Sequence, residues 1–84
     1  MAAMARKAHV RLYSRRRCGL CDEAREVIED ERRASSFDFD ELFIDGSDDL
    51  ERAYGLRVPV VEVDGREEFE YRVDPSRLRR LVTG

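Results

Sequence analysis

The chain contains two cysteines, Cys18 and Cys21, separated by Gly19 and Leu20. They stand between an apolar strand-like run and a helix-like run, so the pair is predicted at the start of a helix. There the first sulfur can face the unpaired backbone N–H groups of the first turn, and the positive end of the helix dipole favours its thiolate. Because thiolates attack disulfides, this spacing predicts redox chemistry.

Two other uses of the pair compete with redox chemistry. A CxxC pair also fits half of a zinc site, but zinc usually takes four ligands and the chain adds only one histidine, His9. A closed metal site would therefore need a dimer that contributes two pairs of Cys18 and Cys21. A structural disulfide is disfavoured, because closing a four-residue loop stabilises a fold by only about 2 kcal/mol. The sequence thus predicts a dithiol and no metal, with a dimeric metal- or iron-sulfur-binding adaptor as the alternative.

Length and composition favour one small, highly charged domain spanning residues 1–84, with residues 1–7 as a flexible extension. The formal net charge is -3, and the sixteen lysine and arginine residues are spread over several segments. This distribution gives no support for nucleic-acid binding. Residues 1–7 lack the apolar stretch of a signal peptide, and no segment approaches the ~20 apolar residues of a membrane span. We therefore expect a cytoplasmic monomer that does not bind membranes.

Hydrophobic periodicity predicts seven elements. The predicted strands cover residues 9–13, 37–44, 58–63 and 69–73, and the predicted helices run from 20 to about 34, over 48–54 and from 75 onward. Ser47 and Asp74 are predicted helix caps, Gly55 a left-handed helix stop, and Asp64-Gly65 a two-residue hairpin turn. The right-handed crossover rule makes the first two strands parallel neighbours, and the hairpin adds an antiparallel pair to one mixed sheet. Four phenylalanines are expected in the core: Phe37, Phe39, Phe43 and Phe69.

This order of elements resembles the thioredoxin fold in its minimal, glutaredoxin-like form. The resemblance rests on Cys18-Gly19-Leu20-Cys21 between the first strand and first helix, and on Val58-Pro59 opening the third strand. It is greatest with the small bacterial glutaredoxin-like proteins, through the runs Leu12-Tyr13-Ser14, Cys21-Asp22-Glu23-Ala24 and Tyr54-Gly55. The resemblance implies an α/β fold of order βαβαββα, in which three helices flank a four-stranded mixed sheet.

The resemblance also implies a thiol-disulfide oxidoreductase in which Cys18 is the nucleophile and Cys21 the resolving thiol. Its substrates would be protein or low-molecular-weight disulfides, and an external reductant would restore the dithiol. No tightly bound cofactor is implied, although glutathione could act as a co-substrate. Leu20 departs from the Tyr or Phe of classical glutaredoxins, and residues 70–74 lack the Gly-Gly pair that helps those proteins bind glutathione. A partner-binding module without turnover is a further alternative.

The substrate contacts implied by the resemblance lie on two segments. Arg15 and Arg17 precede the nucleophile where glutaredoxins often carry a basic residue, which could stabilise the thiolate or hold a substrate carboxylate. Val58-Pro59 resembles the cis-proline turn that faces the dithiol and pairs with an extended substrate, and Arg57 would flank that groove. Thioredoxins carry a buried carboxylate in the strand before the CxxC. Residues 9–13 contain no acid.

Overall fold

The computed structural model describes residues 7–83. Its seven elements follow the order βαβαββα: β1 His9–Ser14, α1 Gly19–Ala34, β2 Asp38–Phe43, α2 Asp48–Tyr54, β3 Val60–Val63, β4 Arg66–Glu70 and α3 Pro75–Thr83. Residues 1–6 of the predicted extension lie outside the described residues. Within the part of the chain described, no helix is both long and apolar enough to cross a membrane.

The strands form one mixed sheet in the order β2-β1-β3-β4. β1 runs parallel to β2 and antiparallel to β3, and β3 runs antiparallel to β4. The parallel pair arises because α1 carries the chain across one face of the sheet before β2 begins. These pairings confirm the predicted topology and place β1, which leads into the cysteines, in the interior of the sheet.

Side chains of β1 alternate between the two faces of the sheet, as a period of two requires. Val10 and Leu12 are fully buried in a core shared with α1 and α3. Tyr13 belongs to a smaller cluster on the α2 side, where its ring stacks on Tyr54 at 4.0 Å between centroids. The larger core also contains Ala24, Ile28, Phe37, Val61, Val63, Phe69, Val73 and Leu78.

The predicted caps and hairpin turn are confirmed. The Ser47 hydroxyl accepts a hydrogen bond from the Leu50 N–H at 3.2 Å, and the Asp74 carboxylate accepts one from the Ser76 N–H at 3.2 Å. Asp64 and Gly65 both have positive φ, 52° and 84°, as a primed hairpin turn requires. This turn sets Arg66 directly opposite Val63. β4 therefore begins three residues before its predicted start.

Three further sequence-based expectations are wrong. β4 ends at Glu70 and not at residue 73, because Tyr71 takes a left-handed backbone with φ 65° that cannot continue a strand. Gly55 is not a left-handed stop, since its φ is -53°. A Cβ at Gly55 would instead collide with the Glu51 carbonyl, so the glycine permits a close approach. Phe43 is not a core residue; it is 37% exposed because β2 lies at the sheet edge.

Candidate active site

The two cysteines lie at the start of α1 and form a disulfide. Cys18 is the N-cap residue of the helix, and its sulfur accepts a hydrogen bond from the Cys21 N–H at 3.2 Å. Cys21 is 0% exposed, whereas Cys18 is only partly buried. This difference follows from helix geometry, because the N-cap residue precedes the first turn while Cys21 faces the sheet. Cys18 is therefore the sulfur that a disulfide in solution can reach.

The three arginines before Cys18 have different surroundings. Arg15 donates two hydrogen bonds to the Glu51 carboxylate, at 2.7 and 2.8 Å, and a third to the Gly55 carbonyl at 3.0 Å. Arg16 lies over the Phe43 ring, with its guanidinium carbon 4.6 Å from the ring centroid. Arg17 is exposed, has φ 56°, and pairs with no carboxylate in residues 7–83.

Arg15 thus connects the cysteine loop to the segment that leads into the third strand. Its bonds to Glu51 and Gly55 join residues 15–18 to the C-terminal end of α2, just before Val58 and Pro59. The guanidinium pKa of Arg15 is raised by its hydrogen bonds to Glu51. The structure therefore gives Arg15 a positioning contact. Arg17 is the cation closest in sequence to Cys18, and no carboxylate within residues 7–83 pairs with it.

The Val58–Pro59 peptide bond is cis, as the resemblance implies. Pro59 is fully buried, and the Pro59 carbonyl accepts a hydrogen bond from the Tyr71 N–H at 2.8 Å. Within residues 7–83 neither backbone polar group of Val58 has a hydrogen-bond partner. Unpaired backbone groups at a surface are available to an added strand. Arg57, by contrast, is bound to Glu67 at 2.8 Å and Glu70 at 2.9 Å.

A partly buried carboxylate contacts α1 one helical turn after Cys21, and sequence reasoning missed it. Glu41, on β2, accepts hydrogen bonds from Arg25 at 2.8 and 2.5 Å and from the Ser14 hydroxyl at 2.6 Å. Arg25 follows Cys21 by four residues, so the two share one face of α1. Burial opposes ionisation of Glu41, but the hydrogen bonds from Arg25 and Ser14 outweigh it and hold the pKa of Glu41 below its usual value.

No sequence signal marks Glu41 by itself. The only clue is the alternation of β2, which places Phe39, Glu41 and Phe43 on the face that carries Leu12 of β1. That register is known only from the parallel pairing of β1 and β2 in the structure. The ion pair therefore depends on the tertiary fold, and it anchors the first turns of α1 to the two strands beneath them.

Beside α1 lies a small cleft of about 180 Å³. Ala24 and Val27 form its helical wall, and Tyr71 and Val73 form the opposite wall. Glu23 and Arg72 also line the cleft. They form an ion pair, with 3.1 Å between the Arg72 Nη1 and Glu23 Oε1 atoms. Among the described residues, no group of three or more His, Cys, Asp or Glu side chains could hold a metal ion.

Comparisons with known proteins agree on both fold and family. Residues 9–83 match the family described as "Glutaredoxin-like domain (DUF836)". A structural-genomics target protein from X. campestris is 46% identical, covers 84% of this chain and 91% of its own, and superposes with a TM-score of 0.67.

Two further solved structures extend the comparison. A protein from Nitrosomonas europaea is 26% identical, with coverage of 99% of this chain and 100% of its own and a TM-score of 0.82. A mutant thioredoxin from Halobacterium salinarum is 23% identical, covers 90% of this chain and 72% of its own, and has a TM-score of 0.66. At that identity the thioredoxin likeness concerns the fold alone.

Proposed function

Because the chain belongs to the glutaredoxin-like domain (DUF836) family, with a thioredoxin-like fold and a Cys18–Cys21 disulfide, we propose that it is a thiol-disulfide oxidoreductase. The observation that carries the proposal is the unequal exposure of the two cysteines at a helix N-terminus. Cys18 is partly exposed and Cys21 is fully buried. One sulfur can therefore meet a substrate while the other is held for the second step.

In the first step the Cys18 thiolate attacks a substrate disulfide. A bond forms between Cys18 and one substrate sulfur, and the other substrate sulfur leaves as a thiolate. The start of α1 favours the Cys18 thiolate because its backbone N–H groups and the helix dipole face the sulfur. Arg17 adds a positive charge next to the nucleophile without a carboxylate to neutralise it within residues 7–83.

In the second step Cys21 gives up its proton and attacks the Cys18 sulfur of the mixed disulfide. The second substrate thiolate leaves, and the Cys18–Cys21 disulfide forms. Two electrons have then passed from the protein to the substrate. A dithiol or thiol reductant must supply two electrons to begin the next cycle. Glutathione is one reductant of that class, and the reaction requires no tightly bound cofactor.

The substrate segment is proposed to lie along Val58 and Pro59. An extended chain can exchange hydrogen bonds with the backbone groups of Val58, which have no partner within residues 7–83, as in strand addition. Arg15 holds this segment against the cysteine loop through Glu51 and the Gly55 carbonyl. Arg57 borders the same segment, with its charge offset by Glu67 and Glu70.

The proposed reaction belongs in a reducing compartment, the cytoplasm, where thiol reductants can return the disulfide to the dithiol. The protein would act as a monomer, because both reacting sulfurs come from one chain and lie within one helical turn. The alternative of a dimeric metal- or cluster-holding adaptor requires both thiolates to be unoxidised and shared with a second copy. If the domain were a partner-binding module without turnover, its function would not depend on a reaction of either cysteine.

Intact-mass titration tests the proposal. Purified protein is equilibrated across a series of reduced-to-oxidised glutathione ratios, and its mass is measured after acid quenching. We expect a reversible loss of two hydrogens, corresponding to one Cys18–Cys21 disulfide per chain. Cysteines that stay unreactive at every ratio would contradict the proposal, and so would stoichiometric metal found by elemental analysis of unquenched samples throughout the titration. The second result would favour the metal-holding dimer.

A further inference from the structure

Two large apolar side chains next to the cis-proline segment are exposed. Leu56 is 93% exposed, and Tyr71 is 45% exposed. The Tyr71 hydroxyl donates a hydrogen bond to the Leu56 carbonyl at 2.8 Å, which fixes the two residues side by side. We refer to this pair as the ledge. The Leu56 side chain is almost entirely in solvent, so it is free to contact a bound molecule.

The ledge is continuous with the small cleft beside α1. Tyr71 contributes to both, and Ala24, Val27 and Val73 give the cleft apolar walls. Its volume of about 180 Å³ is well below the roughly 300–1,000 Å³ of pockets that enclose whole small ligands. It is suited to a single apolar side chain that belongs to a larger molecule.

The charges around this surface indicate what the rest of that molecule carries. At the rim of the cleft Arg72 and Glu23 neutralise each other, so the cleft does not favour a charged occupant. Directly before Cys18 in the sequence, Arg17 is exposed and has no carboxylate partner in residues 7–83. The surface therefore complements a chain with an apolar side chain at one point and a carboxylate close to its disulfide.

The spacing between the cleft and the nucleophile follows from helix geometry. Ala24 lies six residues beyond Cys18, about 9 Å along the helix axis. An extended chain advances about 3.3 Å per residue, so about three residues span this distance. An apolar residue three positions from a substrate cysteine could reach the cleft while that cysteine's sulfur meets Cys18.

We propose that the ledge and cleft select protein disulfides over small-molecule disulfides. They take an apolar side chain about three residues from the substrate cysteine, and Arg17 pairs with a carboxylate beside that cysteine. This inference rests on the proposed function and names its substrate class. A small disulfide can react with Cys18 but carries no apolar side chain about three residues from its sulfur, so the ledge and cleft add nothing to its reaction.

The test compares two disulfide probes on pre-reduced protein. One probe is a disulfide-linked peptide dimer with aspartate next to its cysteine and leucines three residues to either side. The other is 2-hydroxyethyl disulfide. The second-order rate constant for protein oxidation is followed by quenched intact mass, which needs no added reductant. A peptide dimer with serine in place of each leucine reports the contribution of the apolar side chain.

The informative variant is Leu56→Ser, with Leu42→Ser as its matched control. Leu42 is also exposed but lies on the edge strand β2. We expect Leu56→Ser to slow oxidation by the leucine peptide on the order of tenfold, the size expected when much of a leucine is covered by substrate. Its reaction with 2-hydroxyethyl disulfide should stay within about twofold of wild type. Leu42→Ser should resemble wild type with both probes.

Three outcomes would overturn the inference. An unchanged rate of Leu56→Ser with the leucine peptide would show that the ledge does not contact substrate. If Leu56→Ser lowered the rate constants for both probes equally, the substitution would be acting on the reactivity of the dithiol and not on substrate docking. In either case oxidation of the wild type by 2-hydroxyethyl disulfide would still support the proposed function. A wild-type protein oxidised by neither probe would contradict the proposed function together with the inference.

Discussion

The partly buried ion pair between Arg25 and Glu41 provides a prediction whose size can be worked from the structure. Glu41 has a side chain only 15% exposed and receives two hydrogen bonds from Arg25. Removing one partner of a fully buried pair costs about 3–5 kcal/mol, because the remaining charge is left uncompensated. Glu41 would keep some solvent contact and the bond from Ser14. We therefore expect Arg25→Met to lower the free energy of unfolding by about 2 kcal/mol at neutral pH.

Urea unfolding measured by circular dichroism checks this value. For a domain of this size, about 2 kcal/mol corresponds to a fall in Tm of about 8–16 °C. The matched control is Arg33→Met, which removes an i,i+3 ion pair with Asp30 on the exposed side of the same helix. Such a surface pair contributes about 0–1 kcal/mol. Equal destabilisation by Arg25→Met and Arg33→Met would refute the reasoning.

The contribution of Glu41 should also depend on pH. Arg25 and Ser14 lower the folded-state pKa of Glu41, so its stabilising effect is fully present above the unfolded pKa of about 4.3. It is lost as the pH falls through the lowered folded-state pKa. The difference in free energy of unfolding between wild type and Glu41→Gln should therefore become smaller in acid. Urea titrations at several pH values measure this difference. A difference that stays constant on acidification would show that the charge of Glu41 does not matter.

Two further predictions concern the helix that supports the cis-proline segment. Ser47→Ala should cost about 1 kcal/mol by removing the cap on the Leu50 N–H, measured as a lower Tm; an unchanged Tm would contradict the capping contribution. Gly55→Ala should destabilise by about 1–3 kcal/mol because its Cβ meets the Glu51 carbonyl. Gly19→Ala, whose Cβ meets nothing within 4 Å, should be neutral or stabilising by up to about 1 kcal/mol. Equal effects of the two glycine substitutions would refute the steric explanation.

Local signals were sufficient to predict the topology and the cysteine pair. Ser47 and Asp64-Gly65 act through their own neighbours in sequence, so their roles could be read without the fold. The placement of Cys18 before Cys21 at a helix start likewise follows from adjacent residues. For these features the physical cause and the sequence signal lie within the same few residues.

The features that sequence reasoning missed depend on contacts between distant segments. Glu41 meets Arg25 and Ser14 only after β1 and β2 pair in register. Gly55 has an ordinary helical φ, and its need for a missing Cβ comes from the Glu51 carbonyl. Phe43 is exposed because β2 is an edge strand of the sheet that residues 7–83 form. In each case the residue type is known from the sequence, but its surroundings depend on how distant segments pack.

The most direct test of the account is the trapping of a mixed disulfide in two matched variants. Reduced Cys21→Ser and reduced Cys18→Ser are each treated with oxidised glutathione, and adducts are located by intact mass and peptide mapping. The account predicts one glutathione on Cys18 in Cys21→Ser, because that sulfur is accessible and cannot be resolved. It predicts almost none on the buried Cys21 in Cys18→Ser. Comparable adducts in both variants, or none in either, would contradict Cys18 as the attacking thiol.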